Sequence, residues 1–173
     1  MKKIIMIFAM IFTACLAFAQ NSGLKLEFSA ADLNGNAVTD EIFSKNKLTM
    51  VNIWGTFCGP CIREMPELGE LSREYKSKGF AIVGIVSDSV GAGGKILEQQ
   101  KNDADEIVAL TKADYTHIVP SLDMVKTLLM GIQYVPTTIF VDSEGNQVGD
   151  ILVGSRSKSQ WKKVIDSLLK SMN

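Results

Sequence analysis

Histidine occurs once in 173 residues and cysteine three times, and these scarcities remove whole classes of chemistry. A structural zinc site needs four ligands, and beyond Cys58 and Cys61 the chain offers only Cys15 and His117. No resident metal is expected. An excess of charge is also missing, since 18 basic residues face 19 acidic ones. Nothing in that balance suits a nucleic acid or an anionic membrane as partner. Repeats, linkers and low-complexity segments are absent, which leaves one domain. A nucleotide loop is absent as well. The glycine-rich stretch Ser89–Lys95 has Ser89 where a phosphate loop needs glycine, and Ile96 where it needs Ser or Thr.

Met1–Ala19 has the features of a signal peptide. Lys2 and Lys3 form a basic start, Ile4–Leu16 an apolar run too short for a comfortable membrane span, and Ala17-Phe18-Ala19 a small-x-small cleavage pattern. A rival reading, lipid attachment at Cys15, is weakened by Phe12 at a position where lipoprotein boxes usually carry Leu. Either way export is expected, with residues 20–173 as the working domain. Removing Lys2 and Lys3 leaves 16 basic residues against 19 acidic, a net charge of −3. Two cysteines then remain, Cys58 and Cys61, in a compartment where spare cysteines usually pair for stability.

The chain is organised around Trp54-Gly55-Thr56-Phe57-Cys58-Gly59-Pro60-Cys61. The run Leu48–Ile53 ahead of it is short and apolar, as buried strands are. After it, Ile62, Met65, Leu68, Leu71 and Tyr75 recur at helical spacing up to Lys78, with Pro66 expected to kink the helix and Gly79 to end it. Cys58-x-x-Cys61 therefore sits where a strand turns into a helix. Unpaired N–H groups and the helix dipole at that end favour a thiolate, the attacking species in disulfide exchange. A purely structural bridge is the weaker reading, because such bridges stabilise most when they close long loops.

The rest of the chain alternates apolar strands with helical patterns. Leu24, Leu26 and Phe28 lead to Asn34-Gly35, a hairpin signal. Phe80–Val86 reads as a central strand, and Asp103-x-x-Glu106 as a capping box opening a short helix. Tyr115–Pro120 is another strand, Ser121 caps the next helix, and Tyr134–Asp142 is a strand whose proline belongs at its start. Ser143–Asn146 is a turn, Gln147–Val153 an antiparallel return strand, and from Ser159 an apolar face runs through Trp161, Ile165 and Leu168.

Cys-Gly-Pro-Cys with Trp54 four residues ahead resembles the thioredoxin active site. Glu64-Met65-Pro66 and Val135-Pro136-Thr137-Thr138 are similar to the extracytoplasmic TlpA/ResA-like branch, over Leu24–Leu169. The resemblance implies a thioredoxin-like α/β fold, a central mixed sheet flanked by helices with an added N-terminal hairpin. It implies a thiol–disulfide oxidoreductase whose only redox group is the Cys58–Cys61 disulfide, with no separate cofactor. It also implies that Pro136 is cis and faces that disulfide. Cys58 is expected to attack and Cys61 to resolve, while Trp54, Phe57, Gly59, Pro60, Val135 and Pro136 form the substrate surface. Asn52 stands where cytosolic thioredoxins carry a titrating aspartate, which moves the proton-handling role to Glu64. His117 has no role in the family pattern and is expected to be structural or surface-exposed. A reductase of client-protein disulfides, recharged by a membrane-embedded thiol-transferring partner and acting as a monomer, is the leading function. A disulfide-forming oxidase and a non-enzymatic adaptor are the alternatives; a peroxidase would need a further reactive cysteine.

Overall fold

The computed structural model describes residues 23–172, so the expected signal peptide and Cys15 lie outside the described residues. Its core is a seven-stranded sheet. In chain order the strands are β1 (Ser29–Asp32), β2 (Ala37–Thr39), β3 (Leu48–Trp54), β4 (Phe80–Val86), β5 (Thr116–Val119), β6 (Thr137–Val141) and β7 (Leu152–Val153), arranged β2-β1-β5-β4-β3-β6-β7. β3, β4 and β5 run parallel, while β6 lies antiparallel to β3 and β1 antiparallel to β5. The helices are α1 (Gly59–Tyr75), α2 (Glu98–Thr111), α3 (Leu122–Thr127) and α4 (Lys158–Ser171). This is the mixed sheet flanked by helices that the resemblance implies.

β3 is buried on both faces, and its alternation decides what each face meets. Leu48, Met50 and Trp54 pack with Cys61, Met65 and Leu68 of α1 and with Trp161 and Ile165 of α4. Val51 and Ile53 pack on the other side, with Phe43, Met124 and Leu128. Asn52, in step with Met50 and Trp54, points toward α1, among apolar side chains. That register brings a polar residue under the cysteine-bearing helix.

Several local expectations are corrected. α2 opens at Glu98 rather than near Asp103, because Glu98-Gln99-Gln100-Lys101 are good helix formers and extend it by more than a turn. Asp103 caps nothing; its carboxylate accepts from Gln99 Nε2 at 2.8 Å within the helix. α1 begins at Gly59, three residues before its apolar spacing starts at Ile62, and carries Pro66 inside it. The return strand narrows to Leu152–Val153, joined to a single bridge between Gln147 and Val141. Gly149, at φ 71°, turns the backbone out of the extended region between them. At the other end, β1 and β2 pair antiparallel around Asn34-Gly35, but Leu24–Phe28 lies outside that pair. Lys25 instead bridges Asn146, and Leu26 N–H donates to the Gly145 carbonyl. Among the described residues no helix is long and apolar enough to cross a membrane.

Candidate active site

The carbonyl of Gly55 accepts from Cys58 N–H at 3.0 Å, so the chain leaves β3 through a tight turn. Asp88, after β4, holds that turn from the side: Thr56 donates to it through both its N–H and its hydroxyl. Cys58 then becomes the N-cap of α1. Its sulfur accepts from Cys61 N–H at 3.2 Å, the position a Ser or Asp oxygen would take at an ordinary helix start. Pro60 occupies the first turn, where its missing N–H costs little. Cys58 and Cys61 are joined by a disulfide. Cys61 is fully buried and Cys58 retains slight exposure, so an incoming group can meet only the first sulfur.

The Val135–Pro136 peptide is cis, and the Val135 carbonyl oxygen lies 3.6 Å from Cys58 Sγ. β6 starts directly after this peptide and pairs with β3, so a single strand pairing sets Pro136 beside the cysteines. Pro136 is buried, Val135 half-buried, Gly59 half-buried and Pro60 exposed. Next to Cys58, Phe57 and Tyr134 are largely exposed and border an open groove of about 520 Å³ whose floor includes Val135, Ile132 and Leu129. Two large apolar side chains left in solvent at the rim of one groove suit a protein-docking surface.

Trp54 does not join that surface. Its side chain is fully buried, so it cannot touch a substrate as expected. Its indole N–H donates to His117 Nδ1 at 3.1 Å, and His117 Nε2 lies 2.8 Å from the Ala113 carbonyl. With Nδ1 accepting, Nε2 must carry the proton, which defines a neutral ring with one tautomer. Burial lowers the His117 pKa to about 4, against the smaller opposing effect of the Ala113 carbonyl. A methyl group on Gly84 would stand 2.3 Å from Nδ1, so the close approach of β4 is part of the same packing. His117 is a core residue.

Glu64 lies one turn beyond Cys61 on α1 and is 4% exposed. One carboxylate oxygen accepts from Asn52 Nδ2 at 3.3 Å. The other accepts from Arg156 N–H at 3.0 Å and from the Trp161 indole N–H at 3.2 Å. Burial pushes its pKa above the ordinary carboxylate value, opposed by those three hydrogen bonds and the Arg156 charge. Asn52 also donates to Thr138 Oγ1 at 3.4 Å. Asn52 and Glu64, singled out for the proton-handling question, thus meet directly. Arg156 and Thr138 were not anticipated in this network, and Trp161 only as an apolar contact. An indole on the apolar face of a helix reads as packing, and no spacing rule shows where its N–H points. Among the described residues no group of three or more His, Cys, Asp and Glu side chains could hold a metal ion.

The Redoxin family model matches residues 19–165, which include the whole of this site. The chain belongs to the Redoxin family. The thiol-disulfide oxidoreductase ResA of Bacillus thuringiensis subsp. konkukian (strain 97-27) is 30% identical over 141 residues, 82% of this chain and 74% of that one. ResA of Geobacillus thermodenitrificans (strain NG80-2) is 29% identical over 164 residues, covering 94% and 85% of the two chains. Among solved structures, a thiol:disulfide interchange protein of the thioredoxin family from Chlorobium tepidum TLS has the same fold. Its TM-score is 0.69 over 87% of this chain and 99% of that one, at 23% identity. A DsbF homologue from Corynebacterium diphtheriae superposes with a TM-score of 0.65 at 27% identity, over 83% and 85% of the two chains. The protein is a ResA/TlpA-like thiol–disulfide oxidoreductase of thioredoxin-like fold.

Proposed function

We propose that the protein is an exported reductase of disulfides in client proteins. The observation that carries this reading is the cysteine pair at the start of α1, with the Cys58 sulfur already taking the place of a capping oxygen. A sulfur in that place is stabilised as thiolate by the Cys61 amide and the helix dipole. In the reduced protein Cys58 attacks one sulfur of a client disulfide, forming a mixed disulfide and releasing the other client sulfur as thiolate. Cys61 then loses its proton to Glu64 and attacks Cys58 Sγ. The client's second thiolate leaves, the client has gained two electrons, and Cys58–Cys61 is again a disulfide. Glu64 suits the proton step because it is buried one turn beyond the resolving cysteine and burial raises its pKa above the ordinary carboxylate value.

The client segment would lie in extended form along Val135, beside Pro136, which has no N–H to obstruct the sulfurs. Phe57 and Tyr134 would grip it on either side. Gly59-Pro60 between the cysteines matches the reducing thioredoxins and supports the reductase direction over the oxidase. An intact dithiol site speaks against an adaptor. The signal-like stretch Met1–Ala19 supports work outside the cytoplasm, beyond reach of NADPH. Recharging would then fall to a membrane-embedded thiol-transferring reductase docking at the Cys58 face of a monomer.

Cys61→Ser tests this directly, because it removes resolution but leaves attack intact. Adducts of client proteins and of one membrane protein, linked through Cys58 and released by reductant, are expected from cells expressing the variant. A folded, exported Cys61→Ser protein that captured neither would contradict the reductase reading.

A further inference from the structure

α4 starts against α1 through two carboxylates. Glu64 accepts from the backbone N–H of Arg156, and Glu67, one turn on, accepts from the backbone N–H of Lys158. The first amide of α4, and the one two residues ahead of it, are thus met by side chains of the helix that carries the cysteines. Trp161, in the first turn of α4, adds a third donor from its indole, aimed at the same Glu64 oxygen as Arg156 N–H. The indole is held for that task. Its ring is fully buried, meets Phe140 edge-on at 6.3 Å, and lies under the Arg156 guanidinium at 5.0 Å. Arg156 is itself pinned, donating to the Gly154 carbonyl at 2.8 Å.

We propose that Trp161 is a positioning residue of the redox site, whose indole N–H, with the Arg156 amide, clamps the Glu64 carboxylate in its charged form and so sets the pH at which the site exchanges protons. The inference rests on the proton-handling reading of Glu64 but has a readout of its own. A hydrogen bond to a buried carboxylate stabilises the charged form, so losing a donor shifts the balance toward the neutral acid. The groups facing Glu64 are few. Asn52 from β3 does not titrate, and the Arg156 guanidinium stays charged. The Tyr115 phenol beside β5 is buried and its pKa is pushed up, so it stays neutral. In the oxidised protein Cys61 does not titrate either, which leaves Glu64 as the group there whose charge can change.

The test is an NMR titration of the oxidised protein, following the Glu64 side-chain carboxyl carbon and the Trp161 indole N–H. In the parent both signals should move with one midpoint, and Glu64→Gln should abolish the movement of the indole. In Trp161→Phe, which keeps an aromatic ring and removes the donor, the Glu64 midpoint should rise by about one pH unit. Loosened packing alone would admit water and lower the midpoint, so the sign separates a lost donor from a disturbed core. An indole signal in the parent that ignores the Glu64 midpoint would overturn the proposal without any substitution. So would a folded Trp161→Phe protein with an unchanged or lowered midpoint. If Glu64→Gln exchanged disulfides at the parent rate, the catalytic reading of Glu64 would fall, while the titration would still decide whether Trp161 sets its charge.

Discussion

At the scale of single residues, the proposed proton handling rests on one carboxylate. Glu64 is proposed to take over from the aspartate that Asn52 displaces, and the two side chains are joined by a hydrogen bond. Glu64→Gln is expected to keep the fold. The Asn52 carbonyl oxygen, which has no hydrogen-bond partner, can turn to accept from the new amide as Asn52 Nδ2 loses its acceptor. Removing a buried charge also costs little when the partners are neutral donors. Exchange should slow by about 10²-fold or less across about pH 6 to 8, with a shifted Cys61 titration, measured in stopped-flow reduction of a model disulfide. A parent rate and parent thiol titration would remove Glu64 from the mechanism. The placement of Glu64 on the Cys61 side of α1 was legible from its position three residues on, since such positions share a helix face. Its donors were not. Arg156 and Trp161 lie more than ninety residues away in sequence, and only the docking of α4 on α1 brings them to the carboxylate.

Among the elements, the apolar periodicities placed β3, β4, β6, α1 and α4 because each buries a defined face, and burial is what periodicity reports. Errors fell where burial is weak. α2 is mostly polar and gives little face to read, so its start at Glu98 was hidden, and β7 is a two-residue edge strand behind Gly149. Packing between elements also sets tolerances that no pattern displays. Gly69 lies on the buried side of α1, and a methyl group there would stand 2.5 Å from the Lys112 carbonyl oxygen at the end of α2. That oxygen is backbone, in a left-handed turn at φ 55°, and cannot rotate away. Gly69→Ala is expected to destabilise the fold by about 1–3 kcal/mol despite the gain in helix propensity, as read by chemical denaturation. Equal or greater stability would mean that α1 has room to move against α2.

For the molecule as a whole, stability should depend on pH through two buried groups of opposite sign. His117 has its folded pKa lowered from 6.5 to about 4, so the unfolded chain binds the extra proton first. Its contribution is complete above pH 6.5 and is lost as the pH falls toward 4, on the order of 3 kcal/mol in all. Glu64, raised by burial, works the other way: its contribution is complete below the ordinary carboxylate range and is lost as the pH rises through its folded value. Denaturation of the parent from pH 7 to 4 should show the His117 loss, and His117→Gln, less stable at pH 7, should show a flatter slope. The direction of electron flow is also a property of the whole protein, because it weighs the dithiol form against the disulfide form. Equilibrating the protein against glutathione buffers of known ratio and counting the oxidised fraction measures it directly. A reductase should have a potential near the thioredoxin value of about −270 mV, far from the about −120 mV of a strong oxidase. A value above about −170 mV would contradict the reductase account and assign the Cys58–Cys61 pair to disulfide formation.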